Sequence, residues 1–174
     1  MRLLTFRTPD GTRAGRVDGN EVTELESPDI GALLESSESP ESTLARVADA
    51  AGPVHALDAL ELAPIVIRPS KVICLGLNYR AHIMETLREV PAYPTLFAKF
   101  GEALIGARDD IILPSLATQP DWEVELALVI GRRVRHADHD EAAAAIAGYT
   151  VCNDITMRDW QRRTLQWLQG KTWE

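Results

Sequence analysis

Apolar residues in the opening quarter of the chain come in short bursts separated by turn signals. Leu3 to Phe6 precedes Pro9-Asp10-Gly11, Ala14 to Val17 precedes Asp18-Gly19-Asn20, and Val22 to Leu25 follows. Asp-Gly between β-type runs is a strong hairpin signal, so this part predicts a three-stranded meander. A short helix from Asp29 to Glu35 carries Ile30, Leu33 and Leu34. Ser39-Pro40-Glu41-Ser42 opens a second, with a serine N-cap and a proline in the first turn. Its apolar face is expected from Leu44, Val47, Ala48 and Ala51, and Gly52-Pro53 stops it. Residues 1–65 thus read as a small N-terminal α+β domain without a cluster suited to chemistry.

Two prolines, Pro64 and Pro69, bracket an extended join, and residues 66–174 read as the second domain. Lys71 to Gly76 is a buried strand. It delivers Leu77 to Glu85, a turn entering a helix that Pro91 and Pro94 end, and Leu96 to Phe100 returns as a strand. Gly106 to Asp110 is a turn, and a loop runs from Pro114 to Pro120. In Asp121 to Gly131 the residues Trp122, Val124, Leu126, Leu128 and Ile130 alternate with Glu123, Glu125, Ala127 and Val129. Side chains two apart on a strand share a face, so both glutamates point the same way. The apolar character of both faces from Leu126 to Ile130 predicts a strand buried on two sides. Asp138 and Glu141 have capping-box spacing before a helix from Ala142 to Ala147. Tyr149 to Asp154 is a further β-type run ending in a carboxylate, and Arg158 to Leu168 reads as helix.

Composition narrows the function classes. A chain of 174 residues, 45% hydrophobic and 25% charged, holds one full core or one core plus a small appended unit, and this composition argues against wholesale disorder. A net charge of −8 argues against nucleic acid or an anionic membrane as the main partner. The N-terminal apolar run is too short for a signal peptide, and no stretch reaches the roughly 20 residues of a membrane span. Cys74 and Cys152 lie in apolar runs, as expected of reduced, buried thiols, and a cytoplasmic protein is the default expectation.

The candidate chemistry centres on Glu123, Glu125 and Asp154, three carboxylates on two adjacent β-type runs. Buried anions need a matching cation, and an oxygen-only set suits a hard ion such as Mg²⁺, Mn²⁺ or Ca²⁺. A Glu-x-Glu alone more often decorates the wet face of a sheet; the apolar continuation and Asp154 favour the metal. His82 and Glu85, three apart on one helical face, could serve as a general base and its orienting carboxylate, although spacing alone favours an ordinary surface ion pair. Lys171, Arg158 and Gln161 could bind a substrate carboxylate or stabilise an oxyanion. His136 and His139 border a helix start and read as surface residues.

Together these residues resemble the fumarylacetoacetate hydrolase family. The resemblance is carried by Gly76-Leu77-Asn78-Tyr79 with His82-x-x-Glu85, by Asp121 to Leu126, by Gly148 to Asp154 with Arg158-Asp159 and Gln161, and by Gln166 to Lys171. It implies a mixed β-roll of α+β class, with Mg²⁺ or Mn²⁺ held by residues matching Glu123, Glu125 and Asp154. It implies that His82 and Glu85 activate water, that Lys171 acts in catalysis, and that Arg158, Gln161 and Tyr79 contact the substrate. Family substrates are 2-oxo or 2,4-dioxo acids such as acylpyruvates, and relatives are usually homodimers. The leading expectation is a metal-dependent hydrolase cleaving a carbon–carbon bond. The alternatives are an isomerase or decarboxylase acting on a hydroxymuconate-like diacid or oxaloacetate at the same site, and a non-catalytic metal-binding domain. Relatives also continue past the lysine matching Lys171 with further strands, so the C-terminal part of the family fold is expected to be missing from this chain. Phe100-Gly101-Glu102 stands where relatives often carry a proline and small residues.

Overall fold

The computed structural model describes residues 1–85 and 89–174. In chain order the elements are β1 (Arg2–Thr8), β2 (Gly11–Asp18), β3 (Glu21–Glu24), α1 (Ile30–Glu35), α2 (Pro40–Ala48), β4 (Val54–Ala56), β5 (Val72–Gly76), α3 (Arg80–Glu85), β6 (Thr95–Lys99), β7 (Pro120–Asp121), β8 (Val124–Ile130), α4 (His139–Ala143), β9 (Ile146–Asn153), β10 (Thr156–Met157), α5 (Arg158–Gln161) and α6 (Leu168–Lys171). The expected mixed α+β class is what forms. No helix among the described residues is long and apolar enough to cross a membrane.

The chain divides into two compact units. The first comprises residues 1–68, 104–111 and 124–152. Its sheet has the order β1-β2-β3-β4, antiparallel throughout. Two-residue connections close the meander, and Gly19 takes the left-handed conformation (φ 63°) that the second turn demands. β4 has only three residues, too few to show an alternating pattern, which is why it escaped the sequence reading. Both faces of β1 are used. Leu4 and Phe6 pack with Val17 and Val22, while Leu3 packs against a second cluster of Ala14, Leu25, Ile30, Leu33, Leu34 and Val47. Asp29 caps α1, and Ser39 caps α2 with a proline at its first position. The buried face of α2 is Pro40, Thr43 and Val47, whereas Leu44 and Ala48, expected inside, are exposed.

β8 and β9 form a ribbon whose Val129 and Ala147 pack on the Leu33 and Val47 cluster. The two-sided burial expected of β8 is not found. Val124, Leu126, Leu128 and Ile130 face outward at 49–70% exposure, because the described residues cover only the other face. Asp138 makes the expected capping box, but α4 ends by Ala144 and Ile146 already begins β9, so the helix lies earlier than the alanine run suggests. His136 and His139 are exposed, as expected.

Arg7 ties this unit's returning 104–111 stretch to β1. Its guanidinium donates to both oxygens of Asp109 (2.8 and 2.6 Å) and to the Leu62 carbonyl. The Arg7 bond, followed by the Gly106 N–H, holds the Asp109 carboxyl below the usual carboxylate range. A depressed carboxyl stabilises the fold above its unfolded pKa near 3.9, and that stability is lost as pH falls through the lower folded value. Both partners are partly exposed, so the effect is about 0.5–1 kcal/mol. Urea unfolding should show Asp109→Asn weaker than the natural chain by that amount at pH 6, with the gap shrinking as the pH is lowered below about 3.9. A gap that does not change with pH would assign the loss to packing instead.

The second unit comprises residues 69–103, 112–123 and 153–174. β5 and β6 pair antiparallel, with Cys74 opposite Phe97 and Gly76 opposite Thr95. β5 was expected to be buried, yet Ile73 and Leu75 are exposed and the inward residues are Val72, Cys74 and Gly76. Cys74, like Cys152 in β9, is half-buried rather than buried. The predicted helix after Tyr79 is described as Arg80–Glu85, anchored by buried Ile83, and its expected continuation runs into residues 86–88, outside the described residues. Arg158 to Leu168 does not form one helix. α5 and α6 are single turns separated by bends, and Trp167, in the link between them, packs edge-on against Phe97 of β6 and close over Gly76 of β5.

Candidate active site

The short β7–β10 pairing sets Thr156 opposite Asp121 and Met157 opposite Pro120. It places Arg158, the next residue, where its Nε donates to Asp121 (2.9 Å) and its Nη1 reaches Glu123 (2.6 Å). The same Nη1 donates to the Gln161 side-chain oxygen at 3.0 Å. The Arg158 bond is the largest influence on Asp121 and holds its carboxyl below the usual range. The Asp154 backbone N–H donates to the Glu123 carbonyl (2.8 Å), so the acidic ends of the two β-type runs lie side by side.

Asp154 is the most enclosed acid of the site, 2% exposed. Its Oδ2 accepts from Lys171 Nζ at 2.8 Å and its Oδ1 from Lys99 Nζ at 2.8 Å. Lys171 is equally enclosed, and its ammonium also donates to Glu123 at 2.6 Å. Lys99 donates further to the carbonyls of Ile155 and Lys171. Three cations, Lys99, Arg158 and Lys171, therefore interleave with three anions, Asp121, Glu123 and Asp154. Such mutual neutralisation, with hydrogen bonds on both sides, is what allows charges to leave water.

Gly170 makes the arrangement possible. A Cβ there would lie 2.5 Å from the Gln161 backbone nitrogen and 2.7 Å from the Met157 carbonyl, so α6 approaches α5 only without a side chain. Asp159 serves a different purpose. It accepts from the Thr118 N–H and hydroxyl, which lowers its pKa and pins the loop before β7.

Glu123, Asp154, Lys171, Arg158 and Gln161 are thus brought together in the second unit. Glu125 follows Glu123 by two residues on the same extended run, in β8, and is half-buried like it. His82 and Glu85 stand on α3 with Nδ1 to Oε2 at 3.7 Å, both more than half exposed. Tyr79, just before α3, is exposed as well. Among the described residues, no hydrogen bond or ion pair joins His82, Glu85 or Tyr79 to the carboxylate–ammonium cluster. Beside α3 opens a cleft of about 550 Å³ lined by Leu75, Leu77, Arg80, Ile83, Val90 and Tyr93 among others. The sequence reading gave no role to Lys99 or Asp121. Lys99 carried a signal: it shares the inward face of β6 with Thr95 and Phe97, an unusual place for a lysine meant for water.

The donor set suits a hard divalent cation. The acids offer only oxygen, Asp154 is shielded from water, and each of its oxygens keeps a lone pair beyond the one its ammonium engages.

Comparison with known proteins bears on the whole chain. The family model described as fumarylacetoacetate (FAA) hydrolase C-terminal matches residues 71–174. Human oxaloacetate tautomerase FAHD2A, mitochondrial, is 38% identical over 186 residues, covering 100% of this chain and 59% of the human protein. The Dictyostelium discoideum fumarylacetoacetate hydrolase domain-containing protein 2 homolog is 44% identical over 110 residues, 62% of this chain and 36% of that protein. Among solved structures, a putative HpcE protein from Mycobacterium smegmatis superposes with a TM-score of 0.82 at 28% identity, over 99% of this chain and 62% of that one. The 5-carboxymethyl-2-hydroxymuconate delta-isomerase from the same organism gives 0.74 at 31% identity, over 100% and 62%. The chain spans about 60% of the length of these full-coverage relatives.

Proposed function

The chain belongs to the fumarylacetoacetate hydrolase family, and from that premise we propose that it takes part in divalent-metal-assisted enol chemistry on a 2-oxo acid. The observation that carries this reading is the enclosed Asp154–Lys171–Glu123 cluster, with oxygen donors for a cation on one side and a buried ammonium for an anion on the other. Glu123, Glu125 and Asp154 would hold Mg²⁺ or Mn²⁺. When bound, the ion supplies polarisation of a 2-oxo acid's carbonyl. Lys171 would then hold negative charge on the enolate oxygen, and Gln161, whose side-chain oxygen accepts from Arg158, would offer its amide N–H groups to the substrate. Arg158 Nη2 has no partner among the described residues and suits a substrate carboxylate. Tyr79 would line the approach. In a keto–enol interconversion the enol oxygen gives up its proton and the adjacent carbon gains one, with no other bond broken. The relatives named oxaloacetate tautomerase and hydroxymuconate isomerase support this outcome.

Hydrolysis of a 2,4-dioxo acid is the second reading, favoured by the His82–Glu85 pair. His82 would take a proton from water, the resulting hydroxide would attack the distal carbonyl, and the carbon–carbon bond would break to leave the same enolate. The purified chain should be assayed against oxaloacetate and an acylpyruvate, with Mg²⁺ or Mn²⁺ and again with a chelator. Chelator-sensitive loss of the enol form of oxaloacetate supports the first reading. Pyruvate with a free acid supports the second, and CO₂ a decarboxylase. No metal-dependent turnover of either compound overturns both and leaves a non-catalytic domain.

A further inference from the structure

Two lysines meet at Asp154, and their hydrogen bonding differs in a way that assigns them different work. An ammonium has three N–H groups. Lys99 Nζ uses all three: on Asp154 Oδ1, on the Ile155 carbonyl and on the Lys171 carbonyl. Lys171 Nζ uses two, on Glu123 and on Asp154 Oδ2, and its third has no acceptor among the described residues. The Phe97 ring lies 5.1 Å from that nitrogen and shields it on one side without taking a hydrogen bond. Lys99 itself is 9% exposed in its side chain, so water does not substitute for its partners.

We propose that Lys99 is the positioning residue of this site. By gripping Asp154 and the Lys171 main chain together, it sets the Lys171 ammonium between the two carboxylates with one N–H left for an anionic ligand. Lys99 touches no substrate; it acts through Lys171. A second consequence follows from charge. Deleting a cation beside Asp154 removes repulsion towards an incoming divalent ion, so loss of Lys99 should weaken anion binding and leave metal binding unharmed or tighter. The activity this would serve rests on the oxo-acid reading above, but the positioning itself does not.

The sequence holds three lysines, and Lys71 is exposed, so ¹⁵N-lysine labelling reports the two site ammoniums almost alone. In the ligand-free natural chain, the Lys99 ammonium should exchange its protons at least tenfold more slowly than that of Lys171. Equal protection of both would overturn the spare N–H. In Lys99→Met the Lys171 signal should broaden into solvent exchange or shift. With Mn²⁺ present, affinity for oxalate, a non-reacting two-carbon dianion, should fall about tenfold, while Mn²⁺ affinity stays equal or rises. An unmoved Lys171 signal with unchanged oxalate affinity overturns the proposal, as does loss of Mn²⁺ binding in a folded variant. If Lys99→Met fails to fold, the exchange measurement on the natural chain decides. A natural chain that binds neither Mn²⁺ nor oxalate sinks the oxo-acid reading, and the Lys171 signal in Lys99→Met still decides the positioning.

Discussion

Asp154→Asn should destabilise the chain by about 3 kcal/mol and abolish Mn²⁺ binding and metal-dependent turnover together. The side chain is 2% exposed, and each oxygen is paired with a different ammonium. Asparagine keeps the shape and removes the charge. It also turns an NH₂ group towards one of the two lysines, donor against donor. That lysine is then a buried cation with a lost partner, the arrangement whose cost reaches about 3–5 kcal/mol. Glu123 is the useful contrast. It is 25% exposed, so water can take up part of what its partners lose, and Glu123→Gln should cost less than half as much stability. Urea unfolding of both variants, with electron paramagnetic resonance of added Mn²⁺, checks the prediction. If Asp154→Asn unfolds with the natural chain, the ammoniums are solvated rather than paired, and the enclosed cluster is not what holds this unit together.

The contrast between these acids also marks what could be read from the residues alone. Short apolar runs between turn signals located β1, β2, β3, β5 and β6, period-two alternation located β8, and turn chemistry at Gly19 fixed how the meander closes. Caps at Ser39 and Asp138 are local devices, decided by residues three apart, and both form. The ends of elements were less visible. β9 begins at Ile146 inside an alanine-rich run that also suits a helix, and Arg158 to Leu168 has helical composition yet breaks after one turn. Burial was misread where it depends on what covers a face. The apolar side of β8 says only that the face tolerates being dry, and among the described residues it is open.

The acidic part of the cluster was legible because Glu123 opens one β-type run and Asp154 ends the next. The basic part was not, because it is assembled over long separations: Lys99 lies 55 residues from Asp154 and 72 from Lys171. A lone lysine ending a strand looks solvated until those partners arrive. Buried acids were expected to need a cation, and the chain supplies its own in Lys99, Lys171 and Arg158. That is a consequence of electrostatics that spacing cannot specify. A divalent ion at this site would therefore meet carboxylates already neutralised, and an anionic ligand would restore the balance of charge.

His82→Ala should separate the two readings of the chemistry. His82 and Glu85 are 64% and 76% exposed in their side chains, and α3 is held by Ile83 instead, so the substitution should change stability by no more than about 0.5 kcal/mol. Neither residue shares a hydrogen bond with the carboxylate–ammonium cluster among the described residues, so Mn²⁺ affinity should stay at the natural value. Attack on an acylpyruvate requires a base to take a proton from water, and losing a positioned base costs about 10²–10⁴ in rate. Keto–enol interconversion of oxaloacetate needs no attacking water, and in the reading proposed above its enolate charge would rest on Lys171. It should fall less than tenfold. Parallel rate measurements on the two substrates, with metal saturating, give the answer. An undiminished acylpyruvate rate removes His82 as the base. An equal loss on both substrates makes His82 the proton carrier for enolisation as well, and the division of labour between α3 and the Lys171 cluster would have to be abandoned.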